Sequence, residues 1–492
     1  MNSNRNCIAF DIGGSRGRCV LGQFDGNRLH IKETGSFPSL LASIKGILYW
    51  DIVYQFEALK DLLHKTCTQE NADLDSIGID SMGVNFALLD QNQSLIGIPF
   101  CTRVFQQQSV LNYVDNKFGL DRLFSIAGMQ PQKLNSLYFL AEMKMNKSPT
   151  ISIAKHFLML PDLLNYWLSG EMASEYCIAS TSAMLDAKSR NWSREILDFL
   201  ELDNSFCSPI INTFTSLGKL SVDNIANHHL NKTVVIESPM HDTAASLLCL
   251  GGNTDKLFIS IGTWGIIGAE LADPVLSKDV IDAGFTNEGA AYKRIRLDYN
   301  APGTSLLRCC MAEWKKTDLY VNYTNISLEA SSTECQHIFI NPRSNYFFAS
   351  NNMVKTIQSY CLETNQIIPT TRGQIARLLT ESWAMCCKVT ITKLEKLLHR
   401  SFHEVYVMGG GCQDAFMCQC IANALNKTVI AGPVEASSIG NLLGQLITLG
   451  EIKPGYETMS LVINSFIKKE YYPTDCDRWD DDMNYCLSKH IF

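Results

Sequence analysis

Short apolar runs alternate with glycine-rich turns and helix-like segments along this chain. Near the N-terminus, an apolar run at residues 7–10 leads into a polar turn at 11–18, and apolar residues resume at 19–21. This order predicts a strand, a tight turn and a returning strand. The same order recurs about 250 residues later, where residues 257–261 lead into the turn 262–265. Two such hairpins predict two domains of related architecture.

The C-terminal third carries the clearest helical periodicity. Apolar side chains recur at close to helical spacing between residues 374 and 400, which predicts one long helix. Strands are predicted at residues 405–408 and 428–431, with a tight turn at the glycines after the first. Helices are predicted from Asp414 and after Ser437. Because strands and helices alternate, the predicted fold class is α/β.

The change between the two halves falls after a strand predicted at residues 234–237. Helical composition begins at Ala244, with Asp242 or Thr243 suited to the N-cap. No linker rich in glycine, serine or proline separates the halves, so we place the boundary just before His241. The predicted domains are residues 1–239 and 240–492.

Composition and charge describe an ordinary globular protein. The 492 residues are 46% hydrophobic and 19% charged, which excludes disordered, collagen-like and coiled-coil classes. The formal net charge is -8, and an acidic surface repels phosphate backbones, so we expect neither nucleic acid nor a membrane as partner. An anionic ligand must therefore be bound by local donors in a pocket. No pattern indicates an oligomeric state.

Cysteine is abundant, with 18 residues. The sequence contains no C-x-x-C, and the spacing resembles neither a metal site nor a disulfide framework. The N-terminus shows no apolar segment before a small-residue cleavage site. We therefore expect a cytoplasmic protein with reduced, buried thiols.

Three glycine-rich turns are candidate phosphate-binding loops, because glycine lets backbone N–H groups approach a phosphate closely. Glycine also serves turn geometry alone, so each turn has both interpretations. The motifs G-x-x-x-x-G-K-[ST] and G-x-G-x-x-G are absent, which argues against a P-loop enzyme and a dinucleotide oxidoreductase. The candidate residues are Gly13, Gly14, Ser15, Arg16 and Gly17 in the first turn, Gly262 and Gly265 in the second, and Gly409, Gly410 and Gly411 in the third.

Asp242 is the sharpest acid–base candidate, since it lies beside His241 where a strand ends and a helix begins. An N-cap aspartate explains the same position. Asp11, in the first turn, either shapes that turn or positions a hydrated Mg²⁺. Residue type and spacing leave these alternatives open.

Seven segments occur in an order that is found in one known family. They are FDIGGSRGR (10–18), GIDSMGVNF (78–86), SPMHDTAAS (238–246), FISIGTWG (258–265), TNEGA (286–290), VMGGGCQD (407–414) and VIAGPVEASSIGN (429–441). With them the chain resembles the FGGY carbohydrate kinases from about residue 8 to 452, and most closely the branch that acts on L-rhamnulose. The resemblance implies two ribonuclease-H-like domains, as in actin, hexokinase and the Hsp70 ATPase domain, flanking an ATP/sugar cleft.

The resemblance also implies a reaction, the ATP-dependent phosphorylation of the 1-hydroxyl of L-rhamnulose in L-rhamnose catabolism, with Mg²⁺ bound to ATP. The alternatives are the same reaction on L-fuculose or another ketose, and a non-catalytic sugar-binding regulator. Asp242 corresponds to the catalytic aspartate, and Asp11 to a metal partner acting through water. The implied ATP-binding residues are Gly13, Gly14, Ser15, Arg16, Gly17, Thr263, Arg308, Gly409, Gly410 and Gly411, and the implied sugar-binding residues are Gly83, Asn85, Arg103, His241 and Asn300.

The sequence departs from the family pattern near the expected sugar site. Met82 and Asn85 replace an aromatic residue and a carboxylate, and Thr102 and Val104 replace a tyrosine and an aspartate. Arg308 stands where glutamine is common. Because an unpaired polar group discriminates strongly between hydroxyl patterns, these changes leave the choice of ketose open.

Overall fold

The computed structural model describes residues 4–102, 108–221, 227–251, 255–348 and 350–492. Arg103 and Val104, which belong to the predicted sugar-facing segment, lie outside these described residues. The chain has the predicted α/β fold and divides into two compact units. The first unit contains Met1–Asp255, Glu270–Leu297 and Ala436–Phe466, and the second contains Lys256–Ala269, Asp298–Glu435 and Ile467–Phe492.

The strands match the apolar runs of the sequence, and each predicted strand named above is present within a few residues. They are β1 (Arg5–Ile12), β2 (Arg16–Phe24), β3 (Leu29–Pro38), β4 (Leu41–Ile44), β5 (Ile47–Trp50), β6 (Ser76–Ser81), β7 (Phe86–Leu89), β8 (His156–Met159), β9 (Ser174–Glu175), β10 (Leu185–Asp186), β11 (Asn191–Trp192), β12 (Ile210–Ile211), β13 (Thr215–Lys219), β14 (Val234–Glu237), β15 (Lys256–Ile261), β16 (Trp264–Leu271), β17 (Thr286–Ala290), β18 (Arg294–Pro302), β19 (Glu404–Met408), β20 (Thr428–Ala431) and β21 (Lys469–Tyr471).

The helices include the long one predicted at residues 374–400, which is α14. They are α1 (Ile52–Glu70), α2 (Gln108–Lys117), α3 (Leu120–Ala127), α4 (Ser136–Met145), α5 (Pro149–Ile153), α6 (Leu160–Ser169), α7 (Tyr176–Ser180), α8 (Arg194–Phe199), α9 (Asp242–Leu248), α10 (Lys278–Asp282), α11 (Ser305–Trp314), α12 (Tyr323–Ser332), α13 (Met353–Glu363), α14 (Arg372–Leu398), α15 (Ala415–Leu425), α16 (Ala436–Thr448), α17 (Tyr456–Ser465) and α18 (Asp477–Ser488). Short 3-10 helices lie at Asn204–Phe206, His228–Leu230, Ala291–Lys293, Asn345–Phe347 and Gly410–Gln413.

The first unit is built on a sheet with strand order β13-β14-β6-β1-β2-β3. Strand β1 runs antiparallel to β2, which confirms the predicted hairpin, and parallel to β6. Helix α16 packs closely on this sheet, because a Cβ at Gly22 or Gly78 would lie 2.7 Å from Leu442 or 2.3 Å from Asn441. The sheet therefore brings the ends of β1, β6 and β14 to one edge.

Residues 240–251 pack in the first unit, which differs from the boundary that we placed before His241. The reason is a close approach between helices α9 and α16, since a Cβ at Gly440 would lie 1.8 Å from the Ala245 carbonyl oxygen. Helix α16 returns to the first unit from far along the chain. No linker composition marks such a return.

The second unit is built on a sheet in which β18, β16, β15, β19, β20 and β21 are successive neighbours. Strand β15 is parallel to β19, and β19 is parallel to β20. The buried helix α14 packs against this sheet through Trp383, whose ring would lie 2.0 Å from a Cβ at Gly265. This packing gives Gly265 a structural reason to be glycine.

Three further features are the state of the cysteines, the start of helix α9 and the lack of a described helix that could span a membrane. All 18 cysteines are free thiols, and 15 are buried, as predicted. Helix α9 begins at Asp242, so the predicted N-cap at Asp242 or Thr243 is wrong; His241 holds the N-cap position and its side chain makes no capping bond. In the described ranges, no helix is both long enough and apolar enough to cross a membrane.

Candidate functional site

Asp242 lies at the start of α9, just past the edge where β6 and β14 end. The backbone amide of Ser81, the last residue of β6, donates to the Met240 carbonyl oxygen at 2.8 Å. The Asp242 Oδ1 atom accepts from the Thr243 amide at 2.6 Å and from the Thr243 hydroxyl at 3.2 Å. Both bonds fall on the same carboxylate oxygen. The carboxylate orientation is therefore fixed from one side.

The environment of Asp242 favours a proton acceptor that works near neutral pH. Burial and, to a smaller extent, the Asp11 carboxylate raise the pKa of Asp242, the Thr243 hydrogen bonds and the Arg296 charge oppose the shift, and the resulting pKa is about 6. The side chain nevertheless keeps 40% of its surface exposed, so a solvent-borne group can reach it. A carboxyl group with a pKa near the working pH suits general acid–base chemistry.

Asp11 and Asp80 occupy paired positions on the parallel strands β1 and β6. The Asp11 Oδ2 atom accepts from the Arg18 guanidinium and, at 2.7 Å, from the Ser437 hydroxyl. Asp80 is fully buried and accepts from the Asn441 amide at 2.7 Å. Burial and the Asp11 carboxylate raise the pKa of Asp80 well above its ordinary value.

His241 is buried beside Asp242, with its Nδ1 atom 3.4 Å from Asp242 Oδ1 and its Nε2 atom 4.0 Å from Glu288 Oε2. Burial lowers the pKa of His241 well below its ordinary value, and the Arg296 charge acts in the same direction. Glu288 is already paired with Arg296 at 2.5 Å. His241 is therefore a neutral imidazole, and its buried Nδ1 atom has no hydrogen-bond partner among the described residues.

The segment from Gly83 to Asn85 is held rigidly within the first unit. Val84 has φ = +67°, a conformation that is strained for a β-branched residue. Its amide donates to the Thr181 hydroxyl at 2.8 Å, and its carbonyl oxygen accepts from the Ser136 hydroxyl at 2.8 Å. Gly83 packs on the same threonine, which a Cβ would meet at 2.8 Å.

Asn85 is 2% exposed, and its Oδ1 atom is fully used inside the unit. It accepts from Trp50 Nε1 at 2.8 Å, the Thr102 amide at 3.2 Å and the Thr102 hydroxyl at 3.0 Å. Its Nδ2 atom donates to the Gly83 carbonyl oxygen at 2.9 Å. The remaining amide N–H is what Asn85 can offer a sugar.

The first glycine turn divides into residues with different tasks. Gly17 packs on Phe37, whose ring would lie 2.3 Å from a Cβ, so packing alone explains this glycine. The Arg16 guanidinium pairs with Glu33 at 3.0 Å and is half exposed. The Gly13 carbonyl oxygen accepts from the Ser39 hydroxyl at 2.6 Å, which shapes the turn around Gly14 and Ser15.

A cavity of about 890 Å³ lies within the second unit and brings together several predicted residues. Thr263 and Arg308 line it side by side, with Arg308 donating to the Thr263 hydroxyl at 2.6 Å. Gly410 and Gly411 line it as well. The cavity therefore combines a cation, a hydroxyl group and bare backbone in one place.

The three consecutive glycines differ in the space around them. Gly409 has φ = +77°, and a Cβ there would lie 2.8 Å from the Ile261 carbonyl oxygen. A Cβ at Gly411 would meet the Ile261 side chain at 2.4 Å, whereas nothing lies within 4 Å of one at Gly410. The predicted tight turn continues as the 3-10 helix Gly410–Gln413. Gly410 is thus open to a ligand, and its neighbours are glycine for packing.

Helix α12 contributes cavity residues that the sequence analysis missed. Tyr323, Ser327 and Ser331 recur every four residues and share one face of the helix. That spacing was a usable signal for a common face, but nothing in it indicated a ligand. Further lining residues that were not predicted include Thr324, Leu328, Gln413, Phe416, Gln419 and Tyr471.

The predicted site residues therefore fall into two groups. The first unit holds Asp11, Gly13, Gly14, Ser15, Arg16, Gly17, Gly83, Asn85, His241 and Asp242, and the second holds Thr263, Asn300, Arg308, Gly409, Gly410 and Gly411. Asn300 is half-buried on β18. Over the part of the chain that the structure covers, no group of three or more histidine, cysteine, aspartate or glutamate side chains has a geometry that could hold a metal ion.

Comparison with known families decides what this arrangement belongs to. Residues 6–249 match the N-terminal domain of the FGGY family of carbohydrate kinases, and residues 257–449 match its C-terminal domain. This chain belongs to the FGGY family. It is accordingly a carbohydrate kinase, and the resemblance seen in the seven sequence segments is confirmed.

Individual relatives of this FGGY kinase are similar over nearly the whole chain. The rhamnulokinase of Bacteroides thetaiotaomicron is 31% identical over 477 residues, covering 97% of each chain. The rhamnulokinase of Halalkalibacterium halodurans is 30% identical over 476 residues, covering 95% of this chain and 99% of its own.

Solved structures show the same fold at low identity. A gluconate kinase from Lactobacillus acidophilus aligns with a TM-score of 0.81 and 15% identity, over 99% of this chain and 98% of its own. A Plasmodium falciparum glycerol kinase with ADP aligns with a TM-score of 0.81 and 12% identity, over 100% and 99% of the two chains. The predicted two-domain α/β architecture is thus confirmed for this FGGY kinase.

Proposed function

We propose that this kinase transfers the γ-phosphoryl group of ATP to the 1-hydroxyl of L-rhamnulose, giving L-rhamnulose 1-phosphate and ADP. The observation that carries the kinase chemistry is the partly exposed Asp242 carboxyl, whose pKa is raised to about 6. The choice of sugar is supported by the two rhamnulokinases that align over nearly their full length.

Asp242 is the general base in this proposal. Above about pH 6 its carboxylate accepts the proton of the sugar hydroxyl as that oxygen attacks the γ-phosphorus. The new O–P bond forms while the bond between the γ-phosphorus and the bridging oxygen breaks, and ADP leaves. Because the Thr243 bonds fall on Oδ1, they orient the carboxylate without using Oδ2. Phosphoryl transfer depends mainly on such positioning and on charge neutralisation.

The cavity of the second unit is the proposed nucleotide site. Arg308 and Thr263 would bind phosphate oxygens, and the open backbone at Gly410 would lie against the adenosine. On the first unit, the turn at Gly14 and Ser15 would hold phosphate through backbone N–H groups. Arg16 can join them, because its half-exposed pair with Glu33 is of a kind worth only about 0–1 kcal/mol.

The chemistry of Asp11 fits a metal partner that acts through water. Its Oδ2 atom is already used by Arg18 and Ser437, which leaves Oδ1 as the acceptor for a metal-bound water. Mg²⁺ keeps several waters when it binds nucleotide phosphates, and it supplies neutralisation of phosphate charge. Asp11 would therefore orient the hydrated ion while Arg18 holds the carboxylate in place.

The sugar would bind to the rigid segment at Gly83 and Asn85, to the neutral imidazole of His241 and to Asn300. Arg103 belongs to the same proposed set and lies outside the described residues. Asn85 contributes one amide N–H, since its oxygen is used by Trp50 and Thr102. A donor in place of the family's carboxylate changes the hydroxyl pattern that is preferred, so L-fuculose or another ketose is the competing substrate.

A coupled ADP-release assay across ketoses and aldoses tests this proposal. We expect the highest kcat/KM for L-rhamnulose, and a loss of several orders of magnitude in kcat for Asp242→Asn with ATP affinity retained. A higher kcat/KM for L-fuculose would reassign the sugar. Sugar binding without turnover in the folded wild-type protein would contradict the kinase assignment for this chain. Near-normal kcat in Asp242→Asn would show that the base is misassigned.

A further inference from the structure

The segment that carries Asp242 is irregular and must be held by its neighbours. Strand β14 ends at Glu237 and helix α9 begins at Asp242, so residues 238–241 belong to neither element. Met240, at the centre of this connection, is fully buried. Its carbonyl oxygen accepts from the Ser81 amide at 2.8 Å, and its own amide donates to the Glu175 Oε2 atom at 3.2 Å.

Glu175 is an unexpected partner for that amide, because its side chain is fully buried. Its Oε2 atom also accepts from the Ile178 amide at 3.0 Å, so one carboxylate oxygen joins α7 to the segment before Asp242. Asp162 on α6 and Glu237 on β14 face the same interior and are also buried. Burial raises the pKa of Glu175 to about 7. Burying an acidic side chain destabilises the folded state unless hydrogen bonds inside the protein replace those lost to water.

The hydrogen bonds continue beyond Glu175 to the opposite end of α7. The Ile178 carbonyl oxygen accepts from the Thr181 hydroxyl at 2.7 Å, and that hydroxyl accepts from the Val84 amide at 2.8 Å. A path of hydrogen bonds, joined covalently through the backbone of Ile178, therefore runs from Met240 through Glu175 and Thr181 to Val84. We call it the Glu175 path.

Both ends of the Glu175 path adjoin residues of the proposed site. At one end is the connection to the proposed base, and at the other is Val84, whose φ of +67° is retained only where the surroundings enforce it. We propose that Glu175 is a positioning residue, and that the Glu175 path sets the distance between the base and the sugar-facing segment at residues 83–85. This inference rests on the proposed function, in which Asp242 is the base.

Two substitutions interrupt the Glu175 path at different points. Glu175→Ala removes the acceptor for the amides of Met240 and Ile178, and Thr181→Val removes the hydroxyl while keeping the side-chain shape. We expect each to lower kcat by about 10- to 100-fold, because a displacement on the order of 1 Å has that effect on a reacting geometry. The KM for ATP should stay within about twofold of the wild type, since this path does not reach the cavity of the second unit.

Two further variants control for loss of charge and for packing. Glu175→Gln keeps an oxygen that accepts both amide bonds, so it should restore kcat to within about threefold of the wild type. Glu237→Gln changes another buried acid of the same interior that makes no bond to Met240, so it should leave kcat within the same limits. A Glu175→Gln variant as impaired as Glu175→Ala would overturn the hydrogen-bond role. If Glu175→Ala does not fold, Thr181→Val carries the test.

A double-substitution cycle separates positioning from general damage to the fold. If Glu175 and Thr181 act through Asp242, adding Thr181→Val to Asp242→Asn should change the residual rate by less than about twofold. Losses that multiply would overturn the proposal. The assay uses the ketose that the wild type phosphorylates fastest. An active Asp242→Asn variant would refute the base assignment itself, which is a different outcome from an inactive Asp242→Asn with multiplying losses.

Discussion

Replacing Glu175 by glutamine should change how the stability of this kinase depends on pH. The pKa of Glu175 is raised from 4.5 in the unfolded chain to about 7 by burial. Between these two pKa values the folded state holds a proton that the unfolded state has released. The free energy of unfolding of the wild type therefore falls as pH rises. A difference of about 2.5 pKa units corresponds to about 3 kcal/mol in total, most of which develops between pH 5 and pH 8. Glutamine does not titrate and removes this loss.

Thermal unfolding of the two proteins at several pH values measures the effect. We expect the difference in Tm between Glu175→Gln and the wild type to move in favour of the variant by about 3 °C between pH 5 and pH 8. Glu201→Gln, which changes a glutamate whose side chain is 83% exposed, is the matched control and should run parallel to the wild type. Asp162 and Glu237 face the same interior and remain in both proteins. Parallel curves for Glu175→Gln would refute the reasoning about this buried acid.

Three shorter predictions address the two units separately. The kcat for the sugar should fall tenfold per pH unit well below pH 6, because Asp242 must be ionised to accept a proton and its pKa is about 6. A kcat that stays constant down to pH 5 would exclude this base. Arg308→Ala should raise the KM for ATP about tenfold by removing a charge-assisted donor, with the KM for sugar unchanged; calorimetry with ADP checks the loss. Asn85→Asp should lower the free energy of unfolding by about 1–3 kcal/mol, since a carboxylate oxygen would replace the donor 2.9 Å from the Gly83 carbonyl oxygen. Equal midpoints of urea unfolding for the two proteins would contradict this.

The secondary structure of this kinase was predictable where the signal was local. The periodicity of residues 374–400 became α14, and the apolar runs beside the first two glycine turns became the hairpins β1–β2 and β15–β16. The division into two units was harder to predict from the sequence, because α16 rejoins the first unit through a close helix contact at Gly440. A glycine that permits such a contact looks the same in sequence as one that permits a turn.

The same ambiguity limited the prediction of the site. Gly17 and Gly411 were predicted as phosphate or adenosine contacts, and in the structure a Cβ at either would collide with Phe37 or Ile261. Gly410, by contrast, lies open beside the cavity. The glycine turns occur where the sequence predicts them, but sequence reasoning could not distinguish a glycine beside open space from one that packs on a side chain. That distinction depends on residues far away along the chain.

The departure from the family motif at Asn85 bears on the specificity for the sugar substrate. Asn85 stands where the family pattern has a carboxylate, and its oxygen accepts from Trp50 and Thr102, so one acceptor at this position is used inside the protein. Its Nδ2 atom donates to the Gly83 carbonyl oxygen, a bond that an ionised carboxylate cannot make. A replacement that is satisfied internally preserves the shape of the segment, and its direct effect on the sugar is limited to one N–H donor. Asn85 should therefore influence the choice of ketose through that one donor rather than through a change in the shape of the segment.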